Sequence, residues 1–194
     1  MIFEVSRPTN LPPLNHDEKY ISDLALSEIK QKIKSSGGKI TFSEFMHHAL
    51  YAPLLGYYSG KSKKFGESGD FITAAEETGI LGRIIAKQCS VILNEIPDAA
   101  IIEYGPGSGA LAVSILKQLL QMGLKPRAYY MVDVSEDLIE RQKNRISTEL
   151  PEIYDSVIWK SEIPDGFSGI VIGNEVIDSM PFERFMISNK RILQ

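Results

Sequence analysis

The chain has 194 residues, of which 43% are hydrophobic and 24% charged, which is typical of one or two small globular domains. A formal net charge of −4 argues against a nucleic-acid-binding protein, which normally carries a basic face. The single cysteine, Cys89, excludes an internal disulfide and a zinc site built from cysteines. No apolar run approaches the ~20 residues that span a bilayer. The first residues lack the features of a signal or transit peptide, so the cytoplasm is the expected location.

Residues 1–95 are expected to form a proline-rich arm followed by a helical extension. The first helix is predicted to end at a pair of glycines. The capping-box spacing of Thr41 and Glu44 predicts the start of the second helix. The segment 51–73 is rich in glycine and aromatic residues and predicts a functional loop, because long unstructured loops are uncommon in compact domains. The three helices are predicted over residues 21–35, 41–50 and 77–94.

Residues 96–194 alternate strand and helix patterns and are expected to form part of an α/β core. One helix follows Gly109 and closes at Gly123, and Ser135 caps another helix whose first turn is acidic. Short links and right-handed crossovers predict a parallel sheet that is covered by helices on both faces. Residues 182–193 are expected to begin an inserted hairpin. The four strands are predicted over residues 100–104, 128–133, 157–160 and 169–173.

The turn after the first strand is the most informative segment of the chain. Gly105, Gly107 and Gly109 allow a tight turn that brings the backbone close to a ligand and aims helix N-terminal amides at it. The same glycines also suit a plain strand-to-helix turn, and Gly105, Gly107 and Ala110 fit the dinucleotide pattern. Glu103 favours S-adenosylmethionine over NAD, because a carboxylate there suits a cationic amino-acid headgroup and repels a pyrophosphate.

Polar side chains follow two other predicted strands. Asp133 ends the second strand, where such folds place a carboxylate that accepts from both ribose hydroxyls; an Asp that caps the next turn is the alternative. Asn174, Glu175 and Asp178 follow the fourth strand. Carboxylates there are expected to pair with a cationic acceptor such as guanidinium, or to take up its proton. For Asp178, the alternative is an ordinary N-cap of the next short helix.

The loop before the third helix is a further candidate for the cofactor pocket. It contains Gly69, Asp70, Phe71 and Thr73, and backbone near a glycine approaches a ligand closely. Asp70 is expected to meet the amino-acid end of the cofactor. The three histidines show no ligand spacing with other metal-binding residues, so no metal site is expected.

Four blocks run through most of the chain: residues 45–58, 65–76, 103–109 and 174–181. Together they resemble the MidA family of S-adenosylmethionine-dependent methyltransferases. The resemblance implies a class I methyltransferase (Rossmann-like) parallel sheet with an N-terminal helical extension. It assigns the glycines of residues 103–109, Asp133 and the segment 69–73 to the cofactor. It also makes Asn174, Glu175 and Asp178 the residues on the acceptor side.

The chain departs from the family pattern at two motif positions and in length. Ala75 stands where the family usually has proline, and Asp133 stands where glutamate is common, which shortens the reach to the ribose. Family members are considerably longer, and a complete class I core has more strands than the four predicted here. The core is therefore expected to be C-terminally incomplete.

The predicted function is S-adenosylmethionine-dependent methylation of a protein side chain. Resemblance to mitochondrial family members, which help to assemble respiratory complex I, implies an arginine acceptor. The expected partners are a protein substrate, with a complex I subunit as the candidate, and a second copy of the chain in a homodimer. Neither nucleic acid nor a membrane span is expected. Two alternatives stay open: a non-catalytic assembly or interaction module that keeps the fold, and an NAD-dependent oxidoreductase that uses the same glycine loop.

Overall fold

A computed structural model of the chain describes residues 13–59, 79–96, 98–162, 165–188 and 190–193. The chain divides into two compact units, residues 1–60 with 181–194 and residues 61–180. The boundary expected from the sequence, between residues 95 and 96, stays a prediction. Within the described ranges, no helix is long and apolar enough to cross a membrane.

Helices and strands in the described ranges follow the order that the sequence predicts. The helices are α1 (His16–Ser35), α2 (Phe42–Tyr51), α3 (Ile80–Glu95), α4 (Ala110–Gln121) and α5 (Glu136–Glu149). The strands are β1 (Ala100–Tyr104), β2 (Tyr129–Val132), β3 (Val157–Lys160), β4 (Gly169–Gly173), β5 (Met186–Ser188) and β6 (Arg191–Leu193). Two short 3-10 helices cover Pro151–Ser156 and Ile177–Ser179.

The first unit contains α1, α2 and a β-hairpin. Both helices begin with a capping box. In α1 the side chain of Asn15 accepts from the backbone N–H of Glu18, and the Glu18 carboxylate accepts from the backbone N–H of Asn15. Thr41 and Glu44 make the same pair of hydrogen bonds at the start of α2. The capping box at Thr41 confirms the predicted start of α2. The Asn15 cap begins α1 earlier than the apolar pattern predicted. Strands β5 and β6 pair antiparallel, which confirms the hairpin expected within residues 182–193.

The second unit is built on a parallel sheet with the strand order β3-β2-β1-β4. Strands β1, β3 and β4 have the bounds predicted from the sequence, whereas β2 is one residue shorter at each end. In the central strand, Ile101 is paired with Tyr129 on one side and Ile170 on the other. Both neighbours of β1 are therefore parallel to it, and the carboxyl ends of β2, β1 and β4 lie side by side.

The three helices of this unit pack on one face of the sheet. Alternate strand residues, including Ile101, Tyr129 and Val157, form a buried cluster with side chains of α3, α4 and α5. The opposite face also carries buried side chains, among them Ile102 and Val132, and the prediction of helices on that face stays a prediction. The chain runs from β1 to β2 to β3 in one direction, so the two right-handed crossovers place α4 and α5 on the same face. The described residues between β3 and β4 contain no helix.

Helices α3 and α4 approach closely at a glycine. A Cβ atom at Gly82 would lie 2.4 Å from both Cβ and Oγ of Ser114, and 3.2 Å from the backbone nitrogen of Ile115. The hydroxyl of Ser114 also donates to the carbonyl of Gly79 at 2.8 Å, at the start of α3. The close contact explains why a glycine, which weakens an isolated helix, lies within α3.

Gly82→Ala is expected to lower the free energy of unfolding by about 1–3 kcal/mol, because the added methyl group overpacks the α3–α4 contact. At an unconstrained helical site the same change would raise stability by up to about 1 kcal/mol. Urea denaturation measures the difference, with Val91→Ala on the exposed side of α3 as the control. Equal or higher stability of Gly82→Ala would contradict the close contact.

Candidate functional site

Three polar segments meet at the carboxyl edge of the sheet, because β2, β1 and β4 are parallel neighbours. The glycine loop follows β1, Asp133 follows β2, and residues 174–178 follow β4. The edge on which the sequence analysis placed these segments is therefore the edge at which the structure brings them together. The segment containing Gly69, Asp70, Phe71 and Thr73 lies outside the described residues.

The glycine loop has the backbone conformation for which its glycines were singled out. Gly105, Gly107 and Gly109 have φ angles of 55°, 54° and 81°, in the left-handed region that side chains disfavour. The N–H of Gly109 donates to the carbonyl of Pro106 at 2.8 Å, which closes the turn at the start of α4. The loop therefore turns from strand to helix within a few residues and presents backbone at the sheet edge.

Glu103 lies beneath this loop on the helix-covered face, with 2% of its surface exposed. Its carboxyl accepts a hydrogen bond of 2.6 Å from the hydroxyl of Tyr129. The pKa of Glu103 is raised to about 7: burial is the main cause, the hydrogen bond from Tyr129 opposes it, and the nearby negative charge of Asp133 adds to the rise. Burial therefore makes the neutral form of Glu103 more stable than it is for a carboxyl in water. Its role toward the headgroup of a cofactor stays a prediction.

Asp133 is buried at the end of β2, and both of its carboxylate oxygens are hydrogen-bonded. Oδ1 accepts from the backbone N–H of Ser135 at 3.0 Å, and Oδ2 accepts from the side-chain amide of Gln142 at 2.8 Å. Burial raises the pKa of Asp133, and these hydrogen bonds oppose the shift. Each oxygen can accept a second hydrogen bond. The turn-capping alternative is thus observed, and it leaves acceptor capacity for a ribose hydroxyl.

Gln142 is a central residue of the site that the sequence analysis missed. Its amide nitrogen donates to the Gly107 carbonyl and to Asp133, each at 2.8 Å, and its oxygen accepts from Trp159 at 3.1 Å. The signal was present in the sequence. Leu138, Gln142 and Ile146 are spaced four residues apart on α5, so a polar residue occupies a position that the helical pattern buries.

A second tie from α5 reaches the glycine loop. The guanidinium of Arg145 donates to the hydroxyl of Ser108 at 2.5 Å and to its carbonyl at 3.3 Å. Arg145 also lies 3.5 Å from Glu149, which pairs with Lys117 of α4 at 2.5 Å. The loop is therefore held from α5 at Gly107 and at Ser108, two adjacent residues.

The segment after β4 combines a half-buried amide with exposed carboxylates. Asn174 is partly buried, whereas Glu175 and Asp178 are exposed, and Glu175 has a φ angle of 52°. Asp178 lies within the short helix Ile177–Ser179, whose N-cap is Val176, so the N-cap alternative for Asp178 is wrong. The carboxylates are open to an acceptor from solvent.

Val176 places this segment against the glycine loop. A Cβ atom at Gly105 would lie 3.1 Å from Cγ2 of Val176, so the two segments are in contact. Gly105 is thus required by close approach as well as by its positive φ angle. No group of residues in the described ranges could hold a metal ion.

Replacing Glu103 by glutamine is expected to remove a fall in stability with rising pH. A carboxyl whose pKa rises from 4.5 to about 7 on folding adds stability below pH 4.5, and this stability is lost as the pH rises through 7. The unfolding free energy of wild type relative to Glu103→Gln should fall by up to about 3 kcal/mol over that range. Urea denaturation at several pH values measures it, and parallel pH profiles for the two proteins would contradict the assignment.

Comparison with known proteins gives the chain its family. A family model described as "Putative S-adenosyl-L-methionine-dependent methyltransferase" matches residues 81–194. The Caenorhabditis elegans protein named "Protein arginine methyltransferase NDUFAF7 homolog, mitochondrial" is 32% identical, over 88% of this chain and 43% of that protein. The human protein arginine methyltransferase NDUFAF7, mitochondrial, is 28% identical, over 82% of this chain and 42% of that protein. The chain thus spans less than half the length of these relatives.

A solved structure supports the fold. It is a COG1565 superfamily member from Burkholderia thailandensis bound to S-adenosyl-homocysteine, and it is 35% identical to this chain. The TM-score is 0.83, over 89% of this chain and 46% of that chain. The part of the chain that is matched has the class I methyltransferase fold that the sequence predicted.

The expectation of a cytoplasmic location is wrong, since the curated relatives are named as mitochondrial proteins. The expectation used the absence of a long apolar run and of signal- or transit-peptide features in the first residues. Proteins of either compartment can share those properties, so they do not distinguish the two locations. The match over residues 81–194 covers more than half of the sequence. The chain therefore belongs to this family of S-adenosyl-L-methionine-dependent methyltransferases.

Proposed function

We propose that this chain carries the cofactor-binding part of an S-adenosylmethionine-dependent methyltransferase that modifies an arginine side chain of a protein. The observation that carries the proposal is the meeting of a three-glycine loop, a buried carboxylate and a polar segment at neighbouring strand ends. The relatives named as protein arginine methyltransferases support the arginine acceptor. Family membership argues against the oxidoreductase alternative.

The residues at the sheet edge fit the cofactor by their chemistry. In the proposal, Gly105, Gly107 and Gly109 bring backbone close to it, and the remaining acceptor capacity of Asp133 meets the ribose hydroxyls. Glu103 and the segment 69–73 contribute toward its amino-acid end. When bound, S-adenosylmethionine supplies a methyl group carried on a sulfonium.

The residues after β4 would handle the acceptor. The exposed carboxylates of Glu175 and Asp178 suit a guanidinium, which carboxylates bind through paired hydrogen bonds. Either carboxylate can then take up the proton that the acceptor nitrogen loses. The half-buried amide of Asn174 would orient the acceptor beside the loop. The chain's contribution to rate would come mainly from holding the acceptor in line.

The partner of this site is proposed to be a protein, and a respiratory complex I subunit is the first candidate because of the resemblance to the MidA family. A homodimer is a further proposal. The alternative function, a non-catalytic assembly module, is favoured by one fact: the chain spans 43% of the length of its Caenorhabditis elegans relative. Substrate-cleft residues that relatives carry elsewhere would then be required for turnover.

Methyl transfer distinguishes these two functions. The chain is incubated with methyl-labelled S-adenosylmethionine and a protein extract, and labelled amino acids are identified after hydrolysis. The proposal predicts labelled methylarginine, with a lower yield for Glu175→Gln combined with Asp178→Asn. Cofactor binding without transfer of label would favour the non-catalytic module, and label on other residue types would contradict the arginine acceptor.

Asp133→Ala is expected to weaken S-adenosyl-homocysteine binding about 10- to 100-fold, because the ribose hydroxyls lose a charged acceptor. Isothermal titration calorimetry measures the affinity. Asp137→Ala is the matched control, since Asp137 is an exposed carboxylate on α5 that pairs with Arg141 at 2.9 Å. Unchanged affinity in Asp133→Ala would contradict the ribose assignment.

A further inference from the structure

Gln142 lies on the buried face of α5, and its side chain makes three hydrogen bonds there. Its side chain is fully buried on α5, whose other buried residues, Leu138 and Ile146, are apolar. Both hydrogens of the amide nitrogen are used, one by the Gly107 carbonyl and one by the Asp133 carboxylate, at 2.8 Å each. The amide oxygen accepts from the indole N–H of Trp159 at 3.1 Å. A buried group with these bonds is satisfied and rigid.

The three partners allow one orientation of the amide. A carbonyl and a carboxylate accept hydrogen bonds, whereas the indole N–H of Trp159 donates and cannot accept. Rotating the amide by half a turn would set its oxygen against two acceptors and its nitrogen against a donor. All three partners, with Trp159 as the donor, therefore favour the orientation in which Gln142 donates to both sides of the site.

The two acceptors belong to different segments at the sheet edge. Gly107 is in the loop after β1, and Asp133 ends β2, so a single nitrogen sets the spacing between them. The stem of Gln142 also supports the loop, since its Cγ lies 3.5 Å from the Cβ position of Gly109. Gln142 is thus in contact with two of the three loop glycines and with the carboxylate.

We propose that Gln142 is a positioning residue, which holds the Asp133 carboxylate and the glycine loop in the one arrangement that receives the nucleoside part of the cofactor. The inference rests on the proposed function, because it acts through the assignment of Asp133 to the ribose. Trp159 serves as the anchor that keeps the Gln142 amide in its donating orientation. The cost of ordering the carboxylate is met in folding, before the ligand arrives.

A double-mutant cycle tests this role. Gln142→Met keeps a side chain of similar length without hydrogen bonds, and it is expected to weaken S-adenosyl-homocysteine binding about 10- to 100-fold. If Gln142 acts through Asp133, the same change should have little effect in an Asp133→Ala background. A side chain that merely supports the fold would give equal losses in both backgrounds, and that result would overturn the proposal. Gln121→Met, at an exposed position of α4, is the control.

Trp159→Phe provides a second variant, because it keeps an aromatic ring and removes the anchoring N–H. A smaller loss of affinity, about 3- to 10-fold, is expected, because the amide oxygen loses its donor while the two acceptors still bind its nitrogen. Affinity equal to wild type in both Gln142→Met and Trp159→Phe would overturn the proposal. Absence of binding by the folded wild-type chain would instead contradict the proposed function, so the two failures are distinguishable.

Discussion

The buried amide of Gln142 connects the parts of the site to the fold that carries them. Parallel pairing places the strand ends side by side. The conformations of the glycine loop and of the Asp133 side chain at this edge also depend on contacts with the helix that packs against the sheet. Here α5 supplies these contacts, with Gln142 bonded to Gly107 and Asp133, and Arg145 bonded to Ser108. The helix packs through Ile146 into the same core as β1 and β2, so the site geometry depends on core packing.

The buried polar groups also set the electrostatics under the site. Glu103 and Asp133 are two carboxyls in one low-dielectric region, and burial raises the pKa of each. Their environments differ, because the carboxyl of Asp133 accepts hydrogen bonds from Ser135 and Gln142, whereas the carboxyl of Glu103 accepts one from Tyr129. These donors stabilise the charged form of Asp133, which in the proposed function faces the ribose at the sheet edge.

The strands and the glycine loop were predictable because their signals are local. Buried parallel strands are short apolar runs, and β1, β3 and β4 begin and end where those runs do. The positive φ angles of Gly105, Gly107 and Gly109 follow from a residue type that alone adopts them freely. The N-cap of α5 at Ser135 was likewise predictable, because it depends only on a few neighbouring residues.

The features that were missed depend on contacts between distant residues. The strand order β3-β2-β1-β4 determines which sheet face each crossover helix covers, and this order cannot be deduced from any one segment of the sequence. The hydrogen bond between Gln142 and Gly107 joins residues 35 positions apart in the sequence, and the one between Glu103 and Tyr129 joins residues 26 positions apart. The helical pattern marks Gln142 as a buried polar residue, but tertiary packing decides which groups satisfy it.

The most direct test of the central claim is a crystal structure of this chain with S-adenosyl-homocysteine. The account predicts that the ribose hydroxyls lie within hydrogen-bond distance of the Asp133 carboxylate, that the ligand contacts the loop around Gly107, and that Gln142 keeps its present bonds. A ligand bound elsewhere, or a ribose that is held by other residues while Asp133 contacts protein alone, would contradict it.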